Sequence, residues 1–180
     1  MTSLMTWFVP AAGPVRDLLA ATIGRLAAEH GAPAFPPHVT MAGMFDADED
    51  AAASTLAGLL TGVRPFPVTF PSVGHEPTYF RSLYLRAEPS PQLTSLHQAA
   101  RLAWAPDLPP YQPHLSLLYS DFSEQRKRAI IAAIDLPLPL TIAMDAVELW
   151  ADDQRGTQGW RRCCRVRLAG AVADQEPPGR

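Results

Sequence analysis

The chain has 180 residues, of which 47% are hydrophobic and 18% charged, and its formal net charge at pH 7 is −3. This length fits one domain or two small lobes with a shared core, and the negative charge argues against broad electrostatic binding to duplex nucleic acid. The apolar stretch 4–10 is too short for a membrane span and follows no basic region, so we expect no signal peptide and a cytoplasmic location.

The first half of the chain alternates between strand and helix patterns. In order, the predicted elements are a strand over 4–9, a helix over about 15–29, a strand through His38, a helix over about 48–60 and a strand over 66–73. The first helix follows from the helical spacing of its leucines and isoleucine, and Gly31 lies where a C-terminal cap belongs. Proline at the ends of the last strand suits a sheet edge.

The second half repeats this order and adds a hairpin. Its predicted elements are a strand over 83–85, a helix over 93–104, a strand over 113–119, a helix over 123–134, an extended region over 138–150 broken near Asp145, a hairpin through 152–156 and a strand over 160–168. Phe80 and Tyr84 are predicted to belong to the core. Residues 169–180 offer little that can pack, so we expect a flexible tail there.

A shift of 76 positions (114 − 38) superimposes the two halves of the sequence. It aligns two tetrapeptides, pairing Pro37 with Pro113, His38 with His114, and Thr40 with Ser116. Such self-similarity predicts an internal duplication, with repeats at about 4–74 and 80–152 of a single bilobal domain over 1–168. We therefore expect an α+β fold of two pseudo-symmetric lobes, each an antiparallel sheet with helices packed outside, and an active-site cleft between them.

Each tetrapeptide consists of a proline, a histidine, an apolar residue and a hydroxyl residue. Because side chains two apart on a strand share a face, each histidine projects beside Thr40 or Ser116. Imidazole titrates near physiological pH, so two histidines can divide the roles of general base and general acid. The hydroxyls can donate hydrogen bonds to an anion. These groups suffice to cleave a phosphodiester without a metal.

A single motif of this kind is most simply explained by a structural, hydrogen-bonded histidine. Two motifs at equivalent places of a repeat, each after a proline, favour catalysis instead. A duplicated core would preserve apolar positions more readily than a matched pair of polar ones.

The paired motifs in a duplicated α+β chain resemble the two-histidine (2H) phosphoesterase superfamily. The run Tyr111–Tyr119 is similar to its cyclic phosphodiesterase branch, as are Trp7-Phe8-Val9-Pro10 and Val147-Glu148-Leu149-Trp150. By order of elements, the resemblance covers about 4–168. It implies hydrolysis of a ribose cyclic phosphate, such as a 2′,3′-cyclic nucleotide or ADP-ribose 1″,2″-cyclic phosphate. It also implies that His38 and His114 are catalytic, that Thr40 and Ser116 bind the phosphate, and that no cofactor is needed.

Three aromatic residues are secondary candidates for contacts with the substrate. Tyr119 is expected to bind the phosphate or stack near the base, provided that the strand ends or twists there, because strict alternation turns it away from His114. Trp7 and Trp150 are expected to line a nucleoside pocket, since bases stack on aromatic rings. Core packing is the alternative for all three.

The residues leave several alternatives open. The arginines of the last strand, Arg161, Arg165 and Arg167, form either a solvated basic face or a face that steers phosphate. A superfamily member that acts on RNA 3′ ends, including 2′–5′ linkages, is the competing enzyme, and a non-catalytic module that binds nucleotides or RNA ends is the competing function of another class. We expect a monomer that binds neither metal nor membrane.

Overall fold

Helices and antiparallel strands alternate along the chain in the computed structural model, which describes residues 1–104, 110–153 and 156–169. The elements are β1 (Thr2–Pro10), α1 (Pro14–His30), β2 (Val39–Ala47), α2 (Glu49–Leu59), β3 (Phe66–Phe70), β4 (Ser72–His75), β5 (Leu83–Arg86), α3 (Pro91–Trp104), β6 (His114–Leu118), α4 (Glu124–Ala132), β7 (Leu140–Asp152) and β8 (Trp160–Arg167). Short 3₁₀ turns cover Tyr79–Arg81 and Gly156–Gly159.

The strands form a sheet whose two halves meet at one point. Its order is β3-β7-β1-β2-β6-β5-β4, and β8 pairs with β7. β2 and β6 are joined by a single residue pair, Val39 with Leu115. The neighbouring strand pairs, β1 with β2 and β5 with β6, are joined by several residue pairs each. The α+β class with antiparallel strands and outer helices is thus confirmed, and the two expected sheets are connected edge to edge through the histidine strands.

The strand register relates the two sequence halves to each other. Two cross-strand pairs join positions that are 76 apart, Val39 with Leu115 and Pro67 with Ala143. A pseudo-twofold axis through both points would produce this register, and the duplication itself stays a prediction. The halves of the sheet differ from the halves of the sequence, because β4 pairs with β5 and β7 pairs with β1.

Local chemistry explains where the elements begin and end. Asp48 and Ser123 cap α2 and α4 by accepting hydrogen bonds from backbone N–H groups of the first turn. Gly31 ends α1 at φ 63°, a left-handed conformation that glycine adopts without strain. The strand predicted over 66–73 is split into β3 and β4 at Pro71, which has no N–H to donate to a ladder.

The predicted break near Asp145 is wrong, because β7 runs through it without interruption. β1 pairs Val9 with Ala146 and Pro10 with Met144, so Asp145 is the extra residue of a β-bulge. A bulge accommodates one residue without ending the strand. Of the predicted hairpin, residues 154 and 155 lie outside the described residues, as do residues 170–180 of the predicted tail.

Helices cover one face of the sheet and leave the other free for a site. α1 packs on β6 and α3 packs on β2. Val39 and Leu115 are fully buried on that side. Because neighbouring side chains on a strand alternate, the histidines and hydroxyls of both motifs lie on the opposite face. Among the described helices, none is long and apolar enough to cross a membrane.

Candidate active site

The four residues of the two motifs come together around the Val39–Leu115 pair. In an antiparallel register, this pair sets His38 across from Ser116 and Thr40 across from His114. All four side chains line the same cavity. Two segments that are far apart in sequence therefore supply one compact set of two imidazoles and two hydroxyls.

Both imidazoles are held by the same local hydrogen bond. Nδ1 of His38 donates to the carbonyl oxygen of Pro36 at 2.7 Å, and Nδ1 of His114 donates to that of Gln112 at 2.8 Å. The intervening proline fixes its own φ and favours an extended residue before it, which directs that carbonyl toward the histidine two positions on. A carbonyl accepts only, so each neutral ring carries its hydrogen on Nδ1 and presents the lone pair of Nε2 to the cavity.

Burial favours the neutral form of both histidines. Burial lowers the pKa of His38 to about 4, with a smaller contribution from the nearby His114 in the same direction. Burial also lowers the pKa of His114, and the positive charge of Arg81 adds to this effect. His38 is 5% exposed, whereas His114 is half-buried.

Aromatic rings enclose His38. Trp7 stacks on it with a centroid separation of 3.8 Å and an interplanar angle of 14°, and Phe35 and Trp160 approach it edge-on. Trp7 lines the cavity but is only 2% exposed, and its ring also packs against Trp150 and Trp160. These rings restrict the imidazole to one orientation and provide the desolvation that lowers its pKa.

Trp150 packs beside Trp7 but is half-buried outside the cavity. Its ring is tilted against Trp7 at 4.5 Å, and its Nε1 donates to the buried carboxylate of Glu148 at 3.0 Å. It is absent from the described residues that line the cavity. Trp150 therefore packs against the tryptophan that stacks on His38. Its position does not support the predicted contact with a nucleoside.

Tyr119 reaches the cavity because β6 ends one residue before it. The strand stops at Leu118, so the alternation that would turn Tyr119 away no longer applies. Its ring stacks on Phe35 at 4.0 Å and lines the cavity beside Ser116. Burial raises the pKa of the Tyr119 hydroxyl, so this group remains a hydrogen-bond donor across the working pH range.

The cavity, with a volume of about 300 Å³, also contains residues that the sequence did not single out as site residues. These are Met5, Gly43, Met44, Phe80, Arg81, Asp152 and Trp160. Phe80 was predicted to be a core residue and is instead 55% exposed at the cavity, whereas Tyr84 is buried as predicted. Phe80 and Arg81 belong to a short 3₁₀ turn with no motif, so only the folded chain brings them to the histidines.

The basic face of β8 is largely neutralised by ion pairs. Arg161 pairs with Glu49 at 2.7 Å, and Arg165 pairs with Asp145 at 3.2 Å. Arg165 and Arg162 both contact the buried Glu148 as well. These contacts favour a structural role for the strand, and none of its arginines is among the described residues lining the cavity.

A metal site does not emerge from the arrangement of possible ligands. Within 1–104, 110–153 and 156–169, no group of three or more His, Cys, Asp or Glu side chains is placed to hold an ion. Cys163 and Cys164 are both free thiols. The chemistry of the cavity is therefore considered in terms of its imidazoles and hydroxyls, the guanidinium of Arg81 and the carboxylate of Asp152.

Comparisons with known proteins agree with this geometry. The family model of the 2′-5′ RNA ligase superfamily matches residues 14–156. A cyclic phosphodiesterase of Arabidopsis thaliana is 27% identical over 104 residues, which are 57% of this chain and 58% of that protein. The match thus spans little more than half of that relative's length.

Solved structures show the same fold over nearly the whole chain. LigT of E. coli complexed with ATP has a TM-score of 0.62 at 22% identity, covering 93% of this chain and 98% of that one. LigT complexed with 3′-AMP has a TM-score of 0.59 at 25% identity, with the same coverage.

Proposed function

Because the chain belongs to the 2′-5′ RNA ligase superfamily of two-histidine phosphoesterases, we propose that its cavity hydrolyses a ribose cyclic phosphate to a phosphomonoester. The substrate class is a 2′,3′-cyclic nucleotide or ADP-ribose 1″,2″-cyclic phosphate. One observation carries the proposal: His38 and His114 are fixed by matching hydrogen bonds and present Nε2 to one cavity. The similarity to a cyclic phosphodiesterase and to a LigT structure with 3′-AMP supports it.

The reaction requires one proton to be removed and one to be supplied. Nε2 of one neutral histidine accepts a proton from water as the water oxygen attacks phosphorus. The other histidine, protonated, donates a proton to the departing ribose oxygen as the P–O bond breaks. An in-line displacement places these events on opposite sides of phosphorus, which suits imidazoles on two adjacent strands. The product has one free ribose hydroxyl and one phosphomonoester.

The acid form of a histidine would be generated by the substrate itself. Burial holds the pKa values of both histidines below their ordinary value, which favours the neutral imidazoles. A phosphodiester anion between the rings favours the charged imidazolium and raises both pKa values. Substrate binding and protonation are therefore coupled, and the enzyme acquires its acid together with its substrate.

Hydroxyl donors are available for the non-bridging oxygens. Thr40 and Ser116 lie across from the two histidines and line the cavity. Ser116 donates to the carbonyl oxygen of Phe80 at 3.2 Å, a long bond that a phosphate oxygen can replace. Tyr119 adds a third donor. Neutral donors stabilise the charge that develops on these oxygens in the transition state.

The decisive experiment compares the hydrolysis of 2′,3′-cyclic AMP by the native protein and by two variants, His38→Ala and His114→Ala. We expect each variant to lose a factor of roughly 10²–10⁴ in kcat, the usual contribution of a general acid or base. His30→Ala is the matched control, since His30 lies at the end of α1 and outside the cavity. Phosphorus NMR of the product shows which ribose oxygen keeps the phosphate.

Two outcomes would overturn the proposal. Near-native turnover by either folded variant would remove that histidine from the mechanism. Tight binding of the cyclic nucleotide without any turnover would assign the cavity to a non-catalytic binding module. Turnover restricted to oligonucleotides that end in a cyclic phosphate would instead identify an RNA-end phosphodiesterase. A chelator is expected to leave the rate unchanged.

A further inference from the structure

The sheet face that carries His114 and Ser116 continues onto β5 with further polar residues. Arg86 is the cross-strand partner of His114, and Tyr84 is the partner of Ser116. Directly opposite residues of an antiparallel pair point to the same face, with about 5 Å between their Cα atoms. Arg86 and Tyr84 therefore extend the face of the catalytic residues by one strand.

Tyr84 serves as a platform for two guanidinium groups. Its ring is 2% exposed, and it lies so closely over Gly74 that a Cβ on that glycine would be 2.9 Å from two ring carbons. The guanidinium carbons of Arg81 and Arg86 lie 5.5 and 5.9 Å from the ring centroid. Cation–π attraction of this kind restricts both arginines before any ligand arrives.

A surface depression beside Tyr84 shares Arg81 with the catalytic cavity. Arg81, Tyr84, Arg86 and Gln112 line it. A third depression shares Arg81 and Gln112 with it and shares Arg81 and His114 with the catalytic cavity. Arg81 borders all three spaces. A ligand with its phosphorus between the histidines can thus extend past Arg81 toward Arg86.

The two arginines differ in how far their charge is already neutralised. Arg81 donates to Glu76 at 2.7 Å and to Gln112 at 2.6 Å. Arg86 is exposed, and among the described residues its guanidinium contacts the Tyr84 ring and forms no ion pair. The depression therefore contains an uncompensated positive charge on a restricted side chain, and an anion is the ligand that it fits.

We propose that Arg86 and Arg81 form a second phosphate-binding subsite beside His114, which selects nucleotides that carry a phosphate in addition to the reacting one. This inference rests on the proposed function, because the reacting phosphate is placed between His38 and His114. The additional phosphate is either a terminal monoester on a single nucleotide or the bridging diester of a longer one. A substrate with the cyclic phosphate alone leaves Arg86 unused.

Binding measurements test the subsite without relying on turnover. Calorimetry compares 3′-AMP with adenosine 3′,5′-bisphosphate on the native protein, on Arg86→Gln and on the control Arg64→Gln, which removes the same charge from an exposed position outside these depressions. We expect the native protein to bind the bisphosphate about tenfold more tightly, as one charge-assisted contact to phosphate provides. Arg86→Gln should reduce this ratio to near one, and Arg64→Gln should preserve it.

Turnover measurements distinguish the failure of the subsite from the failure of the proposed function. The substrates are 2′,3′-cyclic AMP, its 5′-phosphorylated form and a dinucleotide that ends in a 2′,3′-cyclic phosphate. A KM lower than that of 2′,3′-cyclic AMP for either of the other two substrates supports the subsite. The substrate with the lowest KM shows whether the additional phosphate is a terminal monoester or a bridging diester. The subsite is overturned, even if hydrolysis occurs, if the native protein binds 3′-AMP and adenosine 3′,5′-bisphosphate equally well. It is also overturned if Arg86→Gln leaves the ratio of these two affinities unchanged. Preference for the bisphosphate without any hydrolysis retains the subsite and rejects the hydrolase.

Discussion

The buried, neutral His38 makes the stability of the protein depend on pH in a defined way. Its pKa is about 4 in the folded protein, whereas an unfolded histidine titrates near 6.5. As the pH falls below 6.5, the unfolded chain therefore binds a proton before the folded chain does. His38 stabilises the fold fully above that pH, and this contribution is lost as the pH falls toward 4.

The size of the loss follows from the two pKa values. Linkage predicts that protonation of His38 lowers the free energy of unfolding by about 2 kcal/mol at pH 5 and by about 3 kcal/mol at pH 4, relative to pH 7. Because typical domains are stable by roughly 5–15 kcal/mol, this loss is a large share of the total. His38 is only 5% exposed, so solvent screens its charge very little.

The assay is urea unfolding, followed by circular dichroism, of the native protein and of His38→Gln at several values between pH 4 and pH 7. His114 and the carboxylates titrate in both proteins, so the difference between the two unfolding free energies isolates His38. We expect this difference to change by about 3 kcal/mol over the range, in favour of the variant at low pH. A difference that does not vary with pH would refute the reasoning, as would an NMR titration of His38 with a midpoint near 6.5.

Two further predictions follow from the site and its surroundings. Inorganic phosphate should raise the NMR-observed pKa values of His38 and His114, and it should bind more tightly as the pH falls from 8 to 6; pKa values that do not respond to phosphate would exclude the coupling of anion binding to protonation. Gly74→Ala should lower the free energy of unfolding by about 1–3 kcal/mol, because its Cβ would meet the Tyr84 ring at 2.9 Å. Gly58→Ala, in α2 with nothing within 4 Å, should instead stabilise by up to about 1 kcal/mol, and equal melting temperatures for the two variants would contradict the packing argument.

Local sequence signals predicted most of the secondary structure and the chemistry of the motifs. Sequence patterns predicted the four helices of the described residues, and Gly31 marked the end of α1 that the structure confirms. These signals are readable because caps and periodicity act over a few residues. The break predicted near Asp145 was wrong because a bulge depends on the partner strand β1, which no local pattern reveals.

The equivalence of His38 and His114 could be seen in the sequence, but only the tertiary structure decided that they share a cavity. The 76-residue offset is a property of the chain, whereas the single Val39–Leu115 pair that sets His38 across from Ser116 forms between strands far apart in sequence. The roles of Trp7 and Trp150 also depended on packing, since an aromatic residue has the same local signal whether it lines a pocket or supports a histidine.

The charges around the site were likewise decided by the fold. From the sequence, the arginines of β8 formed the most basic strand, yet their carboxylate partners come from α2 and β7. Arg81 and Arg86 had no motif. A 3₁₀ turn brings Arg81 to the cavity, and pairing with the His114 strand places Arg86 in the depression beside it. Sequence determines which groups are present and their ordinary pKa values. Burial and proximity, which shift those values and choose each charge's partner, exist only once distant strands have met.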